Sequence, residues 1–503
     1  ATHCRTTSKS FSLLRSTSDN SASFSAICAE PNNRYQAAYN LIGDVYAGYM
    51  SGTNNWNGGT NTQIYALNGT DWCNVPFSES FTNVMPAWLQ LKYAHANGLL
   101  NDDIFAVANI LKVMSLHRVS DIYGPLPVLH FGETENPYNS QEECYMHFFE
   151  TLDSAIAVLK DVVENNPDAK PLEEVDALYH GDYSKWLKLA NSVKLRLAMR
   201  ICYVKPDLAK QYAMEAVRDG VMETADDSAL FQSWGSITII NPLEKIWNGY
   251  SDTRMGASMD SYLNGYNDPR LPVYFQPVTD GDNKGEYRGV ANGMPNPQQD
   301  DYKVMSAPNV QEKSTDSPLR WMMASEVAFL RAEGAMRGWT AEMGGTAEEF
   351  YNKGIELSFL ENGLSADAAA RYAADETSKP TDFTDVSAAN TKYNISALGK
   401  ITIKWNAGAS EEEQLERIIT QKWIAMFPNG TEAWSEFRRT GYPRLFPVRY
   451  NYPSSGVDTN KQIRRMVFPQ SEYSNNGAAV QEAVKLLGGP DNGGTKLWWD
   501  KKN

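Results

Sequence analysis

Glu411 to Val448 reads EEEQLERIITQKWIAMFPNGTEAWSEFRRTGYPRLFPV, and this stretch decides the fold. Leu415, Ile418, Ile419, Trp423 and Met426 recur at helical spacing, while Glu411, Glu412 and Glu413 crowd the first turn, where negative charge complements the helix dipole. Such an apolar face must be buried against something. Pro428, Asn429 and Gly430 stop that helix, and Thr431 reads as the cap of a second one carrying Ala433, Trp434 and Phe437. Arg438 and Arg439 fall in its last turn, where cations suit the carbonyl end, and Gly441 and Pro443 close it. The unit is a pair of helices joined by a tight turn.

Working outward, the same periodicity predicts four such pairs: 102–123 with 140–164, 183–203 with 206–220, 324–338 with 346–362, and 411–427 with 431–440. Each has tetratricopeptide-like character, although the strict consensus is absent and insertions separate the pairs. Single pairs cannot bury their own faces, so they must pack into one scaffold. Further helices are expected over 34–50 and 81–97. Irregular insertions occupy about 51–80, 223–319 and 365–408, all dense in Gly, Asn, Asp and Pro, and KITIKW at 400–405 reads as a minor strand. The expected architecture is mostly α: tetratricopeptide-like helix pairs forming a scaffold under a large loop-rich region with a few short strands. It forms one domain over 34–503, behind a flexible lead-in at 1–33.

A net charge of −15 argues against nucleic acid, whose partners carry a basic face. No apolar run of about 18 residues is present to cross a bilayer as a helix, and the start of the chain lacks the charged-then-apolar pattern of a signal peptide. The five cysteines, Cys4, Cys28, Cys73, Cys144 and Cys202, are widely spaced and form no CxxC pair, so they are expected to be mostly free. Six histidines show no HExxH spacing, and no nucleotide-binding glycine loop or GxSxG elbow occurs. DGDNKGE at 280–286 resembles a calcium loop only faintly, because Lys284 takes a ligand position; a plain acidic turn is expected.

The runs QKWIAMF, EAW and FRRTGYP, together with WLKLANSVKLRLAMRI at Trp186 to Ile201, SEVAFLRAEGAMRGW at Ser325 to Trp339 and RRMVFPQSEYSNN at Arg464 to Asn476, resemble the blocks of the SusD-like family. The resemblance runs from about Asn40 to near the end. It implies a glycan-binding lipoprotein on the bacterial surface, anchored in the outer membrane by lipid and capping a SusC-like TonB-dependent transporter. No cofactor or metal is implied. Neither Cys4 nor Cys28 lies in a sequence that fits the lipid-bearing position.

A pyranose presents an apolar CH face and a hydroxyl rim, so a sugar site needs flat aromatic rings beside amides or carboxylates. Trp56 with Asn57, Trp72 with Asn74, and Trp247 with Tyr250 and Asp252 supply that pairing on loops, in the regions where the resemblance places the glycan site. Trp88, Trp186, Trp339, Trp423 and Trp434 fall on helical apolar faces and are expected to be packing. Arg196 and Arg200 are expected to pair with acids on a neighbouring helix. Glu326 and Glu333, two turns apart, form the one carboxylate pair a glycosidase reading could use. The expectation is a non-enzymatic glycan-capturing protein that hands its ligand to the transporter. The alternatives are a lid for the transporter without ligand of its own, and a hydrolase using Glu326 and Glu333.

Overall fold

The computed structural model describes residues 34–67, 71–235, 238–311, 314 and 316–502. The lead-in at 1–33, with Cys4 and Cys28, lies outside them. A first helix, Gln36–Asp44, is wound as a π-helix and is buried on nearly every side. The helices that follow are α1 (Met85–Ala96), α2 (Asp102–Tyr123), α3 (Gln141–Asn165), α4 (Tyr183–Arg200), α5 (Pro206–Asp219), α6 (Ala257–Gly265), α7 (Ala324–Met336), α8 (Ala347–Glu361), α9 (Ala366–Ala373), α10 (Glu411–Ala425), α11 (Gly430–Thr440) and α12 (Gln470–Leu487). Their starts follow local chemistry. Ser140 with Glu143, and Thr346 with Glu349, close reciprocal capping boxes on α3 and α8, and the Ser410 hydroxyl accepts from the Glu413 amide on α10.

The four expected pairs are present as α2/α3, α4/α5, α7/α8 and α10/α11, and they pack on one continuous apolar core. Trp88, Trp186, Trp339, Trp423 and Trp434 are all buried in it. Cys73, Cys144 and Cys202 are buried free thiols. Two short antiparallel ladders complete the fold: β1 (Met50–Gly52) pairs with β3 (Thr253–Met255), and β2 (Ala229–Phe231) with β4 (Leu319–Met322).

Several local expectations are corrected. α6, α9 and α12 lie where the sequence reads as irregular or unassigned. In α12 Asn476 alone leaves helical geometry. The segment 400–405 joins no ladder. Its alternation is genuine, with Ile401, Ile403 and Trp405 buried, but the Ile401 and Ile403 carbonyls accept from the Tyr266 and Tyr351 hydroxyls instead of a neighbouring strand. Thr431 does not cap α11. That helix begins at Gly430, whose amide donates to the Pro428 carbonyl at 2.8 Å, and no side chain among the described residues caps it; Gly430 packs directly against Asp44 of the first helix. Two glycines permit the approach: a Cβ on Gly430 would overlap Asp44, and one on Gly43 would overlap Thr431.

What joins the pairs is charge. Arg196 on α4 makes a bidentate pair with Glu326 on α7, at 2.7 and 2.8 Å. Arg200, one turn further, reaches Glu432 and Glu436 on α11 and lies 3.5 Å from Asp121 on α2. Arg439 on α11 binds both oxygens of Glu333, at 2.7 and 2.6 Å, and also Glu436. Lys422 on α10 closes on Glu436 at 2.8 Å, and Arg337 on Glu333 at 2.9 Å. Five carboxylates thus meet five cations, and every helix pair contributes at least one. Arg438 and Arg439 are therefore buried contacts and not solvated complements of a helix end.

Burial alone would raise the Glu333 carboxyl, but the Arg439 and Arg337 guanidiniums override it and hold it at about 2. In the unfolded chain the group titrates near 4.5. Below that pH the unfolded state takes up a proton that the native network refuses, so stability is lost as pH falls from 4.5 towards 2. Replacing Glu333 by Gln leaves Arg439 under-compensated in the core and should cost about 3 kcal/mol at neutral pH. Chemical denaturation across pH should show the variant's deficit shrinking as the wild type approaches pH 2.

The glycines make a second prediction. Gly430→Ala should lower stability by about 1–3 kcal/mol through overpacking. Gly477→Ala, on α12 with nothing within 4 Å of the added carbon, should be neutral or stabilising by up to ~1 kcal/mol through helix propensity. Equal effects in denaturant melts would refute the close-approach explanation.

Candidate glycan-binding site

The β1–β3 ladder pairs Met50 with Met255, Ser51 with Arg254 and Gly52 with Thr253, residues two hundred positions apart. It brings the loop after the first helix against the segment ending at Asp252. The pairing continues past the strands: the Thr53 amide donates to the Asp252 carbonyl at 3.2 Å, and the Thr53 hydroxyl to the Ser251 carbonyl at 2.5 Å.

Asp252 is the hub of this junction. One carboxylate oxygen accepts from Gln36 Nε2 at 2.9 Å; the other accepts from Asn54 Nδ2 at 3.4 Å and Gln299 Nε2 at 3.3 Å. Trp56 lies close enough to lower the Asp252 carboxyl's pKa as well. The residue is only 7% exposed, and burial pushes its carboxyl up, a tendency these donors oppose. The sequence places Asp252 at the sugar's rim. The structure has its oxygens engaged by protein donors, so it holds Gln36, Asn54 and Gln299 in place and ties their three segments together.

Trp56 is half-buried and lies over Gly52, where a Cβ would overlap its ring. Asn57 follows with φ 53°, in the left-handed region that asparagine tolerates better than most residues, and its side chain donates to the Thr60 carbonyl at 2.9 Å. It is exposed, as are Asn55 and Asn248. Gln299 ties Tyr250 into the group by donating to its carbonyl at 2.9 Å. Trp247 sits on the π-turn Lys245–Gly249 just before, half-buried, with its indole N–H held by the Val310 carbonyl at 3.0 Å. Its own carbonyl accepts from Arg254 at 2.9 Å, which fixes the turn to β3. The result is two indoles and a phenol, each only partly buried, beside exposed amides: the Trp247 ring is held by a hydrogen bond, Trp56 by packing over Gly52 and Tyr250 through its backbone carbonyl.

Trp56, Asn57, Trp247, Tyr250 and Asp252 are thus drawn to one junction. Trp72 and Asn74 lie elsewhere, on the short helical turn Asp71–Asn74 beside the start of α12, where Asn74 Oδ1 accepts from the Gln470 amide at 2.9 Å. Gln36 and Gln299 are the functional residues the sequence did not single out. Gln36 lies in a helix, and Gln299 in the polar run NPQQD, where no periodicity marks one amide above another.

Two other constellations can be judged. Glu326 and Glu333 are fully buried and locked by Arg196, Arg439 and Arg337, so neither oxygen pair faces a space where a glycosidic bond could enter. His117, Asp121 and Glu432 are the single three-ligand metal group among the described residues, all buried. Arg200 already pairs with Asp121 and Glu432, and burial pushes the His117 ring down to about 4, so the group reads as part of the charge network.

Comparison with known proteins agrees with this architecture. Residues 19–500 match the model of the SusD-like proteins, the SusD and RagB outer membrane lipoproteins. The chain belongs to this family. A chitin-binding SusD homologue from Flavobacterium johnsoniae is 38% identical, with 97% of this chain and 99% of that one aligned at a TM-score of 0.89. A SusD-like protein from Bacteroides thetaiotaomicron is 36% identical over 98% of this chain and 99% of its own, also at 0.89. A homologue from Bacteroides uniformis is 38% identical over 97% and 99%, at 0.87. No curated protein matches the chain. Among the described residues no helix is long and apolar enough to cross a membrane.

Proposed function

We propose that this chain is a non-enzymatic glycan-binding protein, held by lipid at the outer face of the outer membrane, that captures oligosaccharides and passes them to a SusC-like TonB-dependent transporter. The observation that carries the reading is the β1–β3 junction, where Trp56, Trp247 and Tyr250 are assembled around Asp252 from two distant stretches. Aromatic faces take the CH face of a pyranose, and the exposed amides of Asn57 and its neighbours meet the hydroxyls. Such a surface needs no movement to receive its ligand. Affinity is modest because much of the sugar stays in water.

The chitin-binding relative makes β-1,4-linked N-acetylglucosamine oligosaccharides the first ligands to test. Isothermal titration should show binding to one glycan class, weakened about tenfold by Trp56→Ala or Trp247→Ala, the equivalent of ~1.4 kcal/mol of lost stacking each. Trp72→Ala should change it little. Binding indifferent to Trp56 and Trp247 would move the site, and a wild type that binds nothing in a broad panel of glycans would leave the lid reading.

A further inference from the structure

An acidic protein concentrates positive charge in one place. The end of α11, the segment 444–445, the loop 460–464 and the tail 496–502 enclose a half-open cavity of about 380 Å³. Its lining includes Arg438, Arg444, Lys461, Arg464, Lys496 and Lys502, and no acidic residue. Three carboxylates behind the walls meet part of this charge: Glu416 pairs with Arg444 at 3.1 Å, Glu412 with Lys502, and Asp500 with Arg464 at 2.7 Å. Asp500 lies 3.9 Å from Lys496 as well. Six cationic residues thus line the cavity against three paired carboxylates, and Lys461 and Lys496 reach solvent.

The excess is built in at two positions. Arg438 is buried, yet its guanidinium donates only to the carbonyls of Trp434, Asp121 and Arg464 and to the Ser435 hydroxyl, with no ion pair among the described residues. It also lies 3.5 Å from the centre of the Trp434 ring. Burial pushes this group down to about 9, against the opposing pull of the Asp121 and Asp500 carboxylates. Lys461 is exposed at the rim, and its ammonium has neither ion pair nor hydrogen bond among the described residues.

We infer that this cavity is a binding site for an oxyanion carried on a saccharide, of which a hexuronate carboxylate is the smallest example. Its volume falls in the range of small-molecule sites, and Lys461 and Lys496 approach as point charges that require no single ligand orientation. That the oxyanion is borne by a sugar rests on the function proposed above; the charge of the cavity does not. An inorganic ion shares the same chemistry, and the test separates the two.

Wild-type protein is titrated calorimetrically with D-glucuronate, with inorganic phosphate and with neutral D-glucose. Glucuronate should bind and glucose should not. Raising ionic strength from about 0.01 to about 0.1 M, which shortens the Debye length from ~30 to ~10 Å, should weaken the binding. The double variant Lys461→Gln/Lys496→Gln, altered at side chains that reach solvent, should lose about tenfold for glucuronate while melting like the wild type. Phosphate binding without glucuronate binding would make this an inorganic ion site and overturn the proposal. So would the absence of any anion binding, or glucuronate binding that the double variant retains. Neutral chitin oligosaccharides titrated into the same variant should bind as to wild type, so failure of the aromatic site and failure of this one are read separately.

Discussion

Nine charged groups with almost no access to water, and the partly exposed Arg337 beside them, are paired where four helix pairs meet, and that pairing fixes how the helix pairs are arranged. Taking a carboxylate and a guanidinium out of water costs several kcal/mol each, and the attraction between them offsets the cost only when the geometry is good. Arg196 with Glu326 and Arg439 with Glu333 achieve it with two parallel hydrogen bonds each. A neighbouring helix displaced by one turn would leave a charge stranded. The apolar core supplies the attraction between pairs, and the ions supply the register, because apolar faces alone tolerate sliding and charges do not.

That register reaches the ligand surface through the first helix. At its start Gln36 holds Asp252; at its end Asp44 packs directly on Gly430 at the start of α11, which carries Glu432, Glu436 and Arg439. The element is nine residues long and spans the interval between frame and loops. The tryptophans of the junction are therefore positioned by contacts that end in the charged core, although they belong to segments with little regular structure. A loop-built surface is thereby fixed by the frame, which is what the proposed stacking of a sugar requires if binding is not to spend energy on ordering it first.

The sequence made the frame legible because helices advertise themselves. Leu415 to Met426 and the facing runs in the other pairs repeat at helical spacing, and the acidic first turns mark where they begin. The pairing of Arg196 and Arg200 with acids on another helix was also readable, since two arginines one turn apart on an otherwise apolar helix demand partners; which acids they choose was not. The junction was half legible. Aromatic and amide residues clustered on loops were visible, but three-residue strands carry too little alternation to predict that residue 52 meets residue 253. Nor could local chemistry show that Asp252 would be enclosed by three donors from separate segments, or that α11 would start against Asp44. Contacts of this kind depend on where the chain returns, and periodicity holds no information about that.

The buried cysteines carry a different consequence. Thiol–disulfide exchange needs a thiolate and an approach path. Burial pushes the Cys73 and Cys144 thiols up to about 12, and Cys202 is raised as well, so at neutral pH all three are protonated and enclosed. In the family's setting outside the cytoplasm, where disulfides form readily, these sulfurs act as small apolar side chains. Once folded, the frame is redox-silent, and its shape does not depend on the oxidation state of its surroundings.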